Sequence, residues 1–180
     1  MRRQSLLKLL SAARGALGHT EYVVIGSLSI LGLEDVAEIP EGMSMSIDVD
    51  VYTRQDPGRI FDAQNLLGEG STFHQEHGIY LDAVSPALPT LPSGWESRML
   101  KVAQDGLVVW FLHPDDAAVS KLARSDPNDL RWVREGVAAH LISPPMVRAH
   151  FRSTRFMDTA EADRAQEALN RIAPPTAKRD

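Results

Sequence analysis

The chain contains no cysteine, which excludes disulfides, thiolate metal sites and thiol nucleophiles from any account of its chemistry. No hydrophobic run approaches the roughly 20 residues needed to cross a bilayer. The basic start at Arg2 and Arg3 leads into an amphipathic segment without a signal-peptide cleavage pattern. These two gaps point to the cytoplasm. Basic charge is not in excess either: 19 Lys and Arg stand against 24 Asp and Glu, for a formal net charge of -5. A wholesale electrostatic grip on nucleic acid needs a basic surface to displace counterions, so only a local basic strip is left open. Internal repeats and low-complexity tracts are also missing. What remains is 180 residues of ordinary globular composition, enough for one core and a helical appendage.

The most informative stretch is Met45-Ser46-Ile47-Asp48-Val49-Asp50-Val51-Tyr52. Side chains alternate across a strand, so Asp48 and Asp50 share one face while Ile47, Val49 and Val51 share the other. Two carboxylates held this close disfavour joint ionisation unless a divalent cation lies between them, and hard oxygen ligands suit magnesium. The competing reading is an edge strand with solvated acids. Gly78 to Val84 predicts a further strand with Asp82 as its one acid. If it lies beside the first, three carboxylates converge, and a lone acid in a buried strand needs a partner.

Around these strands the pattern alternates. Leu6, Leu7, Leu9, Leu10, Ala13 and Leu17 recur at helical spacing up to Gly18, with Lys8 and Arg14 for a solvated face. Glu21 to Ile25 reads as a strand that stops at Gly26-Ser27 before a helical pattern through Leu28, Ile30, Leu31 and Leu33. Such a turn sets N–H groups and a hydroxyl at a helix start, where anions are favoured. A loop over residues 34–43 follows. Pro57 predicts a helix start, with Ile60, Phe61, Leu66 and Leu67 as its apolar face. Gly68 to Ser71 then opens a polar loop with His74 and His77, whose spacing lacks the partners zinc requires. Pro86, Pro89 and Pro92 make an extended loop, and residues 98–102 and 107–112 predict a hairpin turning at Asp105-Gly106.

Beyond His113 the pattern is helical throughout. Asp115 and Asp116 read as capping acids of a helix with Val119, Lys121 and Leu122, rather than as part of a histidine-aspartate metal site. Asp126-Pro127 with Asp129 comes close to a capping box for the next helix. Ser143-Pro144 starts another, with Arg148, Arg152 and Arg155 near one face, and a last helix covers about residues 160–172. The expected fold class is α+β, a mixed sheet with flanking helices followed by a helical region. The expected organisation is a core over residues 1–113, a helical part over 114–173 and a mobile tail over 174–180.

Gly26-Ser27, Asp48-x-Asp50 and the strand acid Asp82 together resemble the signature of the DNA polymerase beta-type nucleotidyltransferase superfamily. A closer resemblance spans about Tyr22 to Ile142. It rests on Val24-Ile25-Gly26-Ser27, Ser46 to Tyr52, Gly68 to His74, Gly78 to Asp82, Leu91 to Glu96 and Ser120 to Ala123. It is to an uncharacterised bacterial nucleotidyltransferase-like family related to AbiEii-type toxins. The resemblance implies Mg2+ held by Asp48, Asp50 and Asp82, and nucleotide phosphates held by Gly26, Ser27 and Lys121. Asp129 and Arg124 would then stand behind Lys121. It further implies a nucleoside triphosphate donor and an acceptor hydroxyl on RNA, a protein or a small molecule. A toxin role with a cognate antitoxin, or one in phage defence, follows only from the broader group. Two departures stand out: a longer segment between Ser27 and Asp48, and Arg124 to Asn128 in place of a stretch rich in arginine and lysine. The alternatives are a non-catalytic interaction protein of the same fold and a nucleotide sensor without turnover.

Overall fold

A computed structural model of the chain describes residues 1–34 and 36–174. All of the expected tail except Pro174 lies outside the described residues. The chain divides into two compact units, one comprising Met1–Pro89 and Glu96–His113, the other Thr90–Trp95 and everything from Pro114 onward. No helix among the described residues is long and apolar enough to cross a membrane.

The first unit is built on five strands: β1 (Glu21–Val24), β2 (Asp48–Thr53), β3 (Tyr80–Ala83), β4 (Leu100–Gln104) and β5 (Leu107–Phe111). They lie in the order β3-β2-β1-β5-β4. The sheet is mixed, as expected: β1 runs antiparallel to β2 and parallel to β5, while β2 and β3 are parallel. β4 and β5 form the hairpin. Asp105 and Gly106 both adopt positive φ at its turn, which matches the right-handed twist of the flanking strands.

Alternation gives the sheet two distinct faces. Tyr22, Val24, Val49, Val51, Leu81, Val109 and Phe111 share one face by register and are all buried. Two 3-10 stretches, Ser27–Gly32 and Pro57–Ala63, contribute to that core. A Cβ added to Gly32 would fall 2.4 Å from that of Phe111, so a glycine is required for this approach. Helix α1 (Arg3–Leu17) ends at Gly18 in the left-handed region, buries Leu6, Leu9, Leu10 and Ala13, and packs on the second stretch. Arg3 anchors it by donating from Nε to the Leu31 carbonyl at 2.7 Å.

Several local expectations are corrected here. Apolar residues after Gly26 and after Pro57 predicted α-helices, but both stretches are 3-10. The second passes into one α turn, α3 (Gln64–Leu67). Of its expected apolar face Ile60 and Leu67 are buried, joined by Ala63, while Phe61 and Leu66 are exposed. Ile60, Ala63 and Leu67 recur at i, i+3 and i+7 and so share one face, which Phe61 and Leu66 fall outside. The loop over residues 34–43 ends in a single turn, α2 (Glu41–Ser44). Ile47 precedes β2 and is exposed. The polar loop with two histidines is a short helix, α4 (Thr72–His77), whose N-cap Ser71 accepts from the His74 N–H.

In the second unit α5 (Pro114–Arg124) is central, with α6 (Pro127–Ala138), α7 (Pro144–Phe151) and α8 (Thr159–Ile172) packed on it. The acids at its start make tertiary contacts. Asp115 Oδ1 accepts from the Ser143 N–H at 2.7 Å, at the entry to α7. Asp116 is fully buried, with its Oδ1 3.1 Å from His150 Nδ1, although that contact lacks the alignment of a hydrogen bond. Asp126 stands at the N-cap of α6 without a side-chain cap bond.

Candidate metal centre

The acids owe their convergence to the parallel register of β2 and β3. Asp50 lies across from Asp82, and Asp48 across from Tyr80. Neighbouring strands are about 4.8 Å apart and alternate residues share a face. Asp48, Asp50, Tyr80 and Asp82 therefore form a two-by-two array on the sheet face opposite Val49, Val51 and Leu81. One carboxylate oxygen from each of Asp48, Asp50 and Asp82 lies within 4.8 Å of the others, and all three side chains are half-buried. Oxygens sharing one Mg2+ lie at most about 4.2 Å apart, and a pair of ions about 3.5–4 Å apart takes a wider set. The donor type fits a hard divalent cation, and the spacing fits one after small rotamer shifts.

The electrostatics favour the same occupant. Burial, and then the charges of Asp48 and Glu69, push the Asp82 carboxyl above its ordinary range. Burial also raises the Tyr80 phenol, followed by Asp48, Glu69, Asp82 and Asp50. A pocket that raises acid pKa values in this way is short of positive charge. Ser46 donates its hydroxyl to Asp48. Arg54, just past the end of β2, is turned toward Trp110 and Glu21. Its guanidinium lies 3.7 Å from the Trp110 ring centroid and 3.9 Å from Glu21. Nearby, burial lifts Tyr52 to about 12, helped by Glu96 and opposed by Arg54.

Gly26 and Ser27 follow β1, beside Asp50. Gly26 has φ 66° and ψ -154°, a region essentially reserved for glycine. A Cβ there would meet Asp50 Oδ2 at 1.9 Å. The turn leads into six 3-10 residues rather than an α-helix, so the dipole argument for anion binding loses most of its force, and what remains is local N–H and hydroxyl groups.

The remaining predicted residues lie in the second unit and form their own network. Lys121 Nζ donates to Asp129 Oδ1 at 2.7 Å. Arg124 donates to both Asp129 oxygens at 2.9 Å. Lys121 and Asp129 are only 3% and 5% exposed, and the Lys121 ammonium stands 5.0 Å from the Trp132 ring centroid. Burial acts to raise the Asp129 carboxyl, but the hydrogen bonds and charges of Arg124 and Lys121 outweigh it and hold it below its ordinary range. Its carboxylate is thus committed to a lysine and an arginine rather than to a capping box.

Two residues beside the acids escaped the sequence reading. Tyr80 was visible in principle, since it sits two positions before Asp82 and must share its face. Glu69 gave no such signal, because its loop is brought near β3 by tertiary packing.

Fold and cluster define an α+β protein built on a mixed sheet with an acidic, cation-sized site. Residues 4–173 match the model of a family described as nucleotidyltransferase of unknown function (DUF6036), and the chain belongs to that family. No curated protein and no solved structure matches it. The family description supports the nucleotidyltransferase part of the resemblance and is silent on AbiEii-type toxins.

Proposed function

We propose that the protein is a magnesium-dependent nucleotidyltransferase that moves a nucleoside monophosphate from a nucleoside triphosphate to an acceptor hydroxyl. The observation that carries this reading is the meeting of Asp48, Asp50 and Asp82 within 4.8 Å on one sheet face. Membership of a nucleotidyltransferase family supports it. Asp48 and Asp50 would hold a cation on the triphosphate, and Asp82 would share a second one. Magnesium, when bound, supplies Lewis-acid stabilisation of charge on the phosphoryl oxygens. Asp82 would take the proton of the acceptor hydroxyl as that oxygen attacks the α-phosphorus. The bond from the α-phosphorus to its bridging oxygen breaks and pyrophosphate leaves.

Gly26 and Ser27 are assigned to the phosphates through their N–H groups and the serine hydroxyl. For Lys121 the resemblance alone supplies a role on nucleotide phosphates, with Asp129 and Arg124 beside it. RNA, a protein or a small molecule is the acceptor class that the resemblance supplies, and a cytoplasmic toxin with a cognate antitoxin is its setting. The decisive experiment incubates the purified protein with labelled nucleoside triphosphates and Mg2+. Metal-dependent nucleotide binding that is lost in Asp48→Ala and Asp50→Ala is expected. Binding indifferent to both substitutions removes the reading.

A further inference from the structure

Beside the carboxylates, the same unit carries a pair of rings that the proposed transfer chemistry leaves without a task. Tyr80 is the corner of the array opposite Asp48, on β3, which is an edge strand. The His74 ring from α4 lies 4.9 Å from the Tyr80 ring, centroid to centroid, at an interplanar angle of 55°. Neither side chain is buried out of reach, as both are half-exposed. The imidazole is held in place from behind. Its Nδ1 accepts from the Gly70 N–H at 3.0 Å, and the His74 N–H donates to the capping hydroxyl of Ser71 at 3.1 Å. β3 is braced as well, by the Ala83 N–H donating to Gln64 Oε1 at 3.2 Å. The result is a fixed, partly solvated aromatic ledge next to a cation-sized acidic cluster.

A hydrophobic core would have buried these rings, and a purely catalytic array has no use for them. A ledge of this kind takes a planar, π-bearing group, because the face of a tyrosine or histidine ring stacks on any nucleobase. We propose that Tyr80 and His74 form the nucleobase subsite of the donor nucleoside triphosphate, seating the base against the edge strand while its phosphates meet the carboxylates. This inference rests on the transferase reading above and adds the part of the ligand that the acids do not recognise. Stacking tolerates every base, so the subsite confers affinity for nucleosides as a class rather than choice among them.

The test separates the base from the phosphates. Binding of a non-hydrolysable nucleoside triphosphate and of inorganic tripolyphosphate is measured, each with Mg2+, for the wild-type chain and for Tyr80→Leu, Tyr80→Phe and His74→Leu. Thermal unfolding of each variant checks that the fold is kept. Tyr80→Leu is expected to weaken nucleoside triphosphate binding by about tenfold or more and to leave tripolyphosphate binding unchanged. Tyr80→Phe keeps the ring and should bind both ligands like the wild type, while His74→Leu should fall between the two. If Tyr80→Leu weakens both ligands equally or neither, the subsite is overturned although the transferase reading stands. Selective loss of an oligonucleotide acceptor, with donor binding intact, overturns it too. If the wild-type chain binds neither ligand with Mg2+, the transferase reading fails and takes the subsite with it.

Discussion

The α-carbon of Gly26 faces the carboxylate of Asp50 so closely that a methyl group there would sit 1.9 Å from Oδ2. Substituting Gly26→Ala must displace that carboxylate, and it also forces a non-glycine residue into backbone angles that cost about 1–3 kcal/mol. The expected outcome is loss of metal-dependent nucleotide binding together with a lower melting temperature. Equilibrium binding and thermal unfolding check the two effects separately. Unchanged binding in a folded Gly26→Ala chain would show that Asp50 need not stand where it does.

The repulsion within the acidic cluster sets the sign of a second expectation. Burial and the charges of Asp48 and Glu69 raise the Asp82 carboxyl in the folded state. A raised acid binds more protons folded than unfolded, so its contribution to stability declines as pH climbs from the unfolded value of about 3.9 through the folded one. At neutral pH without metal the penalty is fully present. Asp82→Asn should therefore melt higher than the wild-type chain at pH 7 while losing transferase activity. A lower melting temperature would contradict the electrostatic account.

Divalent cations should reverse that penalty. Anything bound by the folded state alone stabilises it, by about 2.7 kcal/mol at a hundred times its dissociation constant. Adding Mg2+ is expected to raise the melting temperature of the wild-type chain, and a chelator should cancel the gain. Asp48→Ala and Asp50→Ala should show little response. Differential scanning fluorimetry across a magnesium series is sufficient.

The network in the second unit behaves oppositely with pH. Although burial works to raise it, Asp129 is held low by Arg124 and Lys121. Its stabilising contribution is present above the unfolded value of about 3.9 and is lost as pH falls through the lower folded value. Removing the acid leaves Lys121, 3% exposed, without its 2.7 Å partner. Asp129→Ala should cost on the order of 3 kcal/mol at pH 7. Chemical denaturation at pH 7 measures the loss, and repeating it at successively lower pH should show the difference between variant and wild type shrinking below about pH 3.9.

Much of this architecture was readable before any coordinates. The sheet class, the Asp105-Gly106 hairpin and the shared face of Asp48 and Asp50 all follow from local alternation and turn chemistry. The meeting of Asp82 with Asp50 required a register that sequence could only pose as a condition. The misreadings share a cause. The stretches after Gly26 and Pro57 carry enough apolar residues for a helix, but both fold as 3-10, and Phe61 and Leu66 are apolar residues that stand on the solvent side. Local spacing alone makes Asp116 and Asp129 capping acids, whereas their structural partners include His150, Lys121 and Arg124, and only the resemblance sets Asp129 beside Lys121. Glu69 was invisible for the same reason, its relevance depending on where a loop comes to rest.

The strand that delivers Asp82 has a neighbour on only one side, and outermost strands are the first to fray. An ion gripped jointly by Asp82 and the two aspartates of β2 would work as a rivet through the sheet margin. Amide exchange at Tyr80 to Ala83 would then slow when magnesium is added, while the interior strands would scarcely notice.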